Sequence, residues 1–396
     1  MVGASLALAL RGSALKVALI EAVAPDSAAQ PSFDDRTTAL GNGARRILDT
    51  LGVWPQIAAQ AGAIRGIHIS DAGRFGFARL EASQHRLTAF GYTVSNRHFG
   101  AVLWQSLRAQ GGISLLCPAR TLEAQFAADG ARLRLANAAG VETQLHAALV
   151  VAADGAHSLI KQAAGIASSA DDYRQVALVA NIRTDAPSTG IAYERFADAG
   201  PIALLPLAGG GYTVVWTLEP GPAAALKDCD PALFREQLQR AFGWRVGRIR
   251  EIGRRAAYPL ALVRALEATA TRVALIGNAS QALHPIAAQG FNLGLRDAAV
   301  LAELIATAAD PGAPAVLTEF AARRAADRRG MIGFTDRLVK LFGDRRVAMI
   351  AARNLGLLLF DLTAPAKQAL ARLSFGFGDA LPRLARGLPL VEGALP

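Results

Sequence analysis

From Val2 to Leu10 nearly every position is small and apolar; a Gly12-Ser13 break follows, then a compact apolar stretch from Lys16 to Ile20 that ends on Glu21. The pattern predicts a buried helix and then a buried strand, the back half of a β-α-β unit. Leu40, Ile47, Leu48, Leu51 and Trp54 mark one apolar face and predict a helix over about 40–61, and a second helix is expected over 97–110. From Ile113 the period shortens. Arg132-Leu-Arg-Leu-Ala alternates, whereas Gln144 to Ala153 becomes continuously apolar toward its end, like a strand covered on both faces, and stops at Asp154-Gly155.

Val176 to Ile182, Ile202 to Leu207 and Tyr212 to Leu218 are further strand-like runs separated by Gly and Pro. They predict a β-rich layer inserted into an α/β frame. Strand character returns over Arg272 to Ile276, and a loop containing Pro and Gly follows. Gly290 to Ala308 then reads as a long helix that buries Leu293, Leu295, Ala298, Leu301 and Ile305. The remainder, 315–396, reads as helical, Arg-rich and amphipathic.

At 396 residues and 52% hydrophobic, the chain can bury a full core and form two or three domains. Its 42 Lys and Arg give a net charge of +10, but they are spread along the chain and are not interleaved with aromatics in a nucleic-acid motif. No nucleic acid is expected as a partner; an anionic cofactor or an anionic lipid surface accounts for the excess as well. Cys117 and Cys229 lie far apart, which argues against a disulfide framework or a cysteine zinc site and for a reducing, cytoplasmic setting. Six His without H-x-x-H or H-E-x-x-H spacing give no metal site. The apolar opening lacks the basic residue of a signal peptide, and no stretch reaches the roughly 18 uninterrupted apolar residues of a membrane span.

Three segments carry candidate chemistry. Met1-Val2-Gly3-Ala4, a helix, a strand and then Glu21 fit the later part of a dinucleotide-binding unit. Gly3 stands as the third glycine of a G-x-G-x-x-G turn, and Glu21 as the acid that accepts ribose hydroxyls. The first strand and first two glycines would lie before Met1; an ordinary small-residue helix is the alternative. Asp154-Gly155 puts a carboxylate at the carboxyl edge of a sheet, where ligands of open α/β sheets sit, although Asp-Gly is more often a plain turn. The most specific segment is Arg272-Val-Ala-Leu-Ile-Gly277-Asn278-Ala-Ser-Gln281-Ala-Leu-His284-Pro285-Ile-Ala-Ala-Gln289-Gly290-Phe291-Asn292-Leu-Gly294-Leu-Arg296-Asp297-Ala.

This segment closely resembles the flavin- and ribityl-binding segment of the class A FAD monooxygenases. Its Gly-Asn-Ala-x-Gln-x-Leu-His-Pro wording is similar to the ubiquinone-biosynthesis subgroup of the 2-polyprenyl-6-methoxyphenol hydroxylase type. Asp154-Gly155-x-x-Ser158, the run Phe33-Asp34-Asp35-Arg36-Thr37-Thr38-Ala39-Leu40, Val94-Ser95-Asn96-Arg97, and Tyr193-Glu194-Arg195-Phe196 with Gly200 to Pro206 resemble subgroup segments in the right order. Asn278 stands where relatives more often have Asp, and Ala288 where they usually have Gly.

The resemblance implies an α/β fold: a Rossmann-like FAD-binding domain (1–70, 93–168 and 263–314) without its first strand, an inserted β-rich substrate domain (71–92 and 169–262), and a helical C-terminal region (315–396). Because Met commonly precedes Val-Gly in this family, the expectation is that the first strand lies upstream of an internal Met read as the start, with a genuinely shortened protein as the alternative. It assigns FAD to Gly3, Glu21, Arg36, Arg97, Asp154, Gly155, Gly277, Asn278, Gln289, Gly290, Phe291 and Asn292, the last three through backbone N–H groups at a helix N-terminus. His284 and Pro285 are candidates for a positional role beside the reaction site. NAD(P)H would bind transiently, and O2 added at flavin C4a would transfer an electrophilic hydroxyl to a polyprenyl phenol. The tail helix Arg345 to Phe360 reads either as lying on an anionic inner-membrane surface or a partner protein of ubiquinone biosynthesis, or as packing on the FAD domain. A non-catalytic complex subunit and a soluble aromatic hydroxylase remain alternative functions; the Trp-x-Trp-x-Ile signature of flavin halogenases is absent.

Overall fold

The computed structural model describes residues 1–25, 27, 36–109, 111–344, 346–363, 365–368 and 381–390. Its helices are α1 (Val2–Ala9), α2 (Asn42–Thr50), α3 (Trp54–Ala58), α4 (Asn96–Arg108), α5 (Leu159–Ala163), α6 (Pro220–Asp228), α7 (Pro231–Phe242), α8 (Gly290–Ile305), α9 (Pro314–Gly343) and α10 (Val347–Leu362).

The parallel sheet is present as two separate parts. Strand Val17–Ile20 pairs in parallel with Ile113–Leu116, and Val150–Ala152 pairs in parallel with Val273–Leu275, which Thr269–Ala270 extends antiparallel. Among the described residues no strand joins the two parts. The first turn of α1 sits where they approach each other: a Cβ on Gly3 would lie 3.0 Å from the Ala153 Cβ and 3.9 Å from the Leu19 Cδ1. Leu6 and Leu8 of α1 then join Ile47 and Leu48 of α2, Phe99 and Leu103 of α4, and Leu295 and Leu301 of α8 in one buried cluster.

The expected single helix over 40–61 is three elements. Thr37–Gly41 is a strand, α2 ends ahead of Gly52 at φ +75, and α3 restarts with Pro55 in its first turn. A left-handed glycine cannot continue a helix, so the apolar spacing of Leu48, Leu51 and Trp54 spans a break rather than one face.

Among the described residues the inserted layer is a nine-stranded sheet whose path runs Gln281–Ala282, Ala256–Ala265, Ser168–Thr184, Tyr212–Leu218, Gly200–Pro206, Ile191–Ala197, Gly66–Asp71 and Phe77–Glu81, with Ile249–Ile252 paired to Ser168–Thr184 off that path. Its first contribution therefore begins at Gly66, ahead of the boundary expected at 71. Side chains alternate across the sheet. Ile202, Leu204, Val214 and Trp216 pack on one face against Phe234, Leu238 and Phe242 of α7, while Pro201, Ala203, Leu205, Val215 and Thr217 turn to a cavity on the other. Helices α6 and α7 were not anticipated within a β-rich insertion. Each carries Pro in its first turn, and the Asp230 side chain caps α7 by accepting from the Ala232 N–H at 2.7 Å.

The C-terminal region returns to the body of the protein. Among the described residues no helix is long and apolar enough to cross a membrane. The turn Arg383–Arg386 packs on α2, where the Leu384 carbonyl accepts from the Thr50 hydroxyl at 2.9 Å.

Candidate active site

Strand Val273–Leu275 runs into a turn built by Gly277, whose φ of +58 favours glycine. Helices α1 and α8 meet across this turn with only the Val2 side chain of α1 packed against its two glycines. A Cβ on Gly294 would lie 2.8 Å from the Gly277 Cα, and one on Gly277 would lie 3.2 Å from the Val2 Cγ2. Gly3, Ala153 next to Asp154, Gly277 and the first turns of α8 are thus held in one place.

Beneath the turn lies a buried ionic hub. Asp297 of α8 is fully buried; its Oδ1 accepts from Arg324 Nε at 2.7 Å and from Arg328 Nε at 3.2 Å. Its Oδ2 accepts from Gln281 Nε2 at 2.9 Å and the Gly277 N–H at 3.3 Å. Burial pushes the carboxyl up, but the Arg328 and Arg324 guanidiniums overcome this and hold it below its ordinary value. Asp327, bonded by both Arg296 and Arg324, completes the network. The buried face of α9 thus interleaves Arg324 and Arg328 with Leu317, Phe320 and Met331.

The start of α8 is stitched to the neighbouring sheet. The Asn292 Oδ1 accepts from the Gly41 N–H at 2.8 Å, and its Nδ2 donates to the Ala39 and Ala288 carbonyls, both at 2.9 Å. The Asn292 side chain is consumed by this bracing, so only its backbone could meet a ligand. Phe291 packs edge-on against Phe99 at 5.2 Å. A Cβ on Gly290 would meet nothing within 4 Å, so space is open at a helix end whose first N–H groups lack intrahelical acceptors. Ala288 holds a left-handed φ of +51, a conformation that favours the glycine usual in relatives.

The other expected residues are distributed around this centre. Asp154 is exposed and caps α5 from the Leu159 N–H at 3.0 Å; Gly155 has φ +92 and open space beside it. Asn278 is exposed. Glu21 accepts from the Val23 N–H at 3.0 Å. Arg36 stacks over Tyr258 of the large sheet at 4.5 Å, and Arg97 is exposed in the first turn of α4. Phe33, Asp34 and Asp35 lie outside the described residues.

A cavity of about 530 Å³ adjoins the 284–292 segment. His284, Pro285, Ala288, Gln289 and Asn292 line one end, Ile67, Ile69, Leu80, Ala203 and Val215 the sheet side, and Phe334, Leu338, Phe342, Leu357 and Phe360 the far wall. His284 is 3% exposed, lies edge-on to Tyr173, and its Nδ1 accepts from the Ile286 N–H at 3.1 Å. The proton of the neutral ring is therefore on Nε2, which is buried without a partner among the described residues. Burial lowers its pKa to about 4, so it is uncharged at neutral pH.

The far wall comes from the C-terminal helices. Arg353 of α10 makes a buried ion pair with Asp71 at 2.8 Å, and Phe342 stacks on Phe196. Neither the Asp71–Arg353 pair nor the Asp297 hub was anticipated from sequence, and Glu194 on the cavity wall was quoted without a role.

The FAD binding domain family matches residues 1–335 of the chain. Among curated proteins, the ubiquinone hydroxylase UbiL of Rhodospirillum rubrum is 34% identical over 98% of this chain and 91% of its own length. The 3-demethoxyubiquinol 3-hydroxylase of Escherichia coli is 29% identical over 95% of this chain and 96% of its own. Among solved structures, the p-nitrophenol 4-monooxygenase PnpA from Pseudomonas putida superposes with a TM-score of 0.78 at 19% identity, covering 96% of both chains, which is a likeness of fold.

Proposed function

The chain belongs to the FAD-binding-domain family of flavin monooxygenases, among its ubiquinone-biosynthesis hydroxylases, and from that premise we propose that it hydroxylates a polyprenylated phenol with FAD, NAD(P)H and O2. The supporting observation is continuity. The segment that resembles the family's flavin-binding stretch also forms one end of a cavity whose other walls are almost wholly apolar.

The residues present fit FAD. Space is open beside Gly155 and Gly290, and Gly277 and Gly294 meet backbone to backbone, a Cβ on Gly294 lying 2.8 Å from the Gly277 Cα. Gly3 and Glu21 would hold the adenosine ribose and pyrophosphate, Arg36 and Arg97 would offset phosphate charge, and Asp154, Gly155, Gly277 and Asn278 would meet the ribityl side. Gln289, Gly290, Phe291 and Asn292 would present the α8 N-terminus to the pyrimidine edge. Bound there and reduced by NAD(P)H, FAD supplies O2 activation and an electrophilic hydroxyl.

The chain's own contribution is orientation and dryness. The apolar walls exclude water and offer a polyprenyl tail a path between the sheet and α9–α10. His284 acts from a neutral ring and is a hydrogen-bond donor or spacer rather than an acid; Pro285 continues the same wall. We further propose a peripheral seat on an anionic membrane. Helix α10 gives Ala352, Leu357 and Phe360 to the cavity and leaves Val347, Leu355, Leu359 and Leu362 exposed, beside a basin containing Arg74, Arg195 and Arg245.

The test is to load the purified chain with FAD, supply NADPH, O2 and a geranyl-substituted methoxyphenol, and look by mass spectrometry for a product one oxygen heavier. Bound FAD with no product under single-turnover reduction would favour the non-catalytic subunit. Flotation with vesicles of anionic phospholipid tests the membrane seat; a protein left entirely in the soluble fraction would refute it.

A further inference from the structure

Strand Ile191–Ala197 presents Ala192, Glu194 and Phe196 to the cavity and turns Tyr193 and Ala197 toward the packed face against α7. Its neighbours in register with Glu194 are Ile69 on one side and Ala203 on the other, and both line the same cavity. Glu194 is thus a carboxyl set in an aliphatic wall. Among the described residues it has neither an ion-pair nor a hydrogen-bond partner, and burial alone pushes it up to about 7. The other titratable groups lining the cavity are His284, Tyr193 and Arg353; His284 is neutral and Arg353 is held by Asp71.

An uncompensated carboxyl in such a wall opposes folding, and leucine would pack there without that cost. Its chemistry suits one complementary ligand, a neutral hydrogen-bond donor carried on an apolar body. Resting on the hydroxylase reading above, we propose that Glu194 recognises the phenolic hydroxyl of the substrate, accepting its hydrogen bond and, as the ring is attacked, its proton. The phenol O–H bond breaks and a carboxyl O–H bond forms, and the electron pair left on oxygen enriches the ring carbons ortho and para to it. When the hydroxylated ring becomes aromatic again, its carbon-bound hydrogen leaves as a proton to solvent water, the C–H electron pair returns to the ring, and the proton held by Glu194 passes back to that oxygen. A bare carboxylate near neutral pH is an adequate acceptor; an arginine-paired one would be a poorer base.

The experiment compares equilibrium binding, by titration calorimetry with the FAD-loaded chain, of a geranyl-substituted phenol and of its O-methyl ether, which differ only in the donor hydrogen and a methyl group. A hydrogen bond to an ionised carboxylate corresponds to roughly ten- to a hundredfold in affinity, so at pH 8 the wild type should prefer the phenol by that factor. Glu194→Leu should bind the ether as the wild type does, which reports an intact wall, and should lose the preference to within about twofold. Glu194→Gln, which keeps an acceptor but no charge, should fall between. Full preference for the phenol in Glu194→Leu would overturn the assignment alone. A wild type that binds neither ligand would overturn the hydroxylase reading and this assignment with it.

Discussion

Replacing Asp297 with Asn changes little in volume and removes the anion shared by Arg324 and Arg328. Both arginines are buried, at 4% and 8% exposure. Arg324 keeps Asp327 at 2.7 Å, whereas Arg328 is left with the Leu275 carbonyl at 3.2 Å. Breaking one side of a buried pair costs about 3–5 kcal/mol, and the surviving Asp327 contact places the expected loss near the lower end, at about 3 kcal/mol. The new amide would also have to give up its acceptor role toward either the arginines or the pair formed by Gln281 and the Gly277 N–H, so the turn at 277 should loosen. Urea unfolding at pH 7 measures the first effect and FAD retention on gel filtration the second. The pH dependence supplies an independent check. The folded carboxyl lies below its ordinary value, so its contribution is complete above the ordinary carboxylate range and disappears as pH falls through the folded value. Asp297→Asn should therefore narrow its deficit in acid. A loss under about 1 kcal/mol at pH 7, or a deficit that does not shrink in acid, would refute the claim that this hub holds the turn.

Glu194→Gln should raise stability at pH 8 by at most about 3 kcal/mol and leave it unchanged at pH 4. The folded carboxyl titrates near 7 against an ordinary 4.5, so its penalty is absent below 4.5 and grows as pH rises toward 7; equal gains at both pH values in thermal melts would contradict this. Ala288→Gly should stabilise by about 1 kcal/mol or less, because leaving a left-handed alanine recovers roughly 1–2 kcal/mol, partly offset by the greater freedom of glycine in the unfolded chain; a loss of more than about 1 kcal/mol in denaturant unfolding counts against the strain. Arg353→Met should loosen α10, leaving it tied to Asp71 through the Asn354 Nδ2 at 2.9 Å, while sparing the FAD-binding domain, seen as faster hydrogen exchange across 347–362 with α8 unchanged; unaltered protection in α10 would show that the ion pair does not hold the helix.

The boundaries of the α/β frame were legible wherever a local pattern carries its own cause. The apolar helix after Met1 and the strand, turn and helix from Val273 through α8 stand where periodicity puts them, but the strand expected to run unbroken from Gln144 to Asp154 is two: Glu142–Ala147 pairs antiparallel with Gly130–Asn137, and only Val150–Ala152 joins the parallel sheet. The 40–61 helix was misjudged because Leu and Trp at helical spacing look the same whether or not Gly52 takes a left-handed turn between them. Helices α6 and α7 carried readable signals in Pro231 after Asp230 and in Phe234, Leu238 and Phe242, but the strands around them outweighed these.

The sequence by itself determined the family and the cofactor, because the motifs that carry them are short and their chemistry is local. Only the tertiary structure decided which charges are compensated. Asp297 finds its guanidiniums 27 and 31 residues later, and Asp71 finds Arg353 at a separation of 282. Among the described residues Glu194 finds no such partner. Whether a buried charge is neutralised or left to meet a substrate depends on what the chain brings to it across the fold, and spacing along the chain carries no record of that distance.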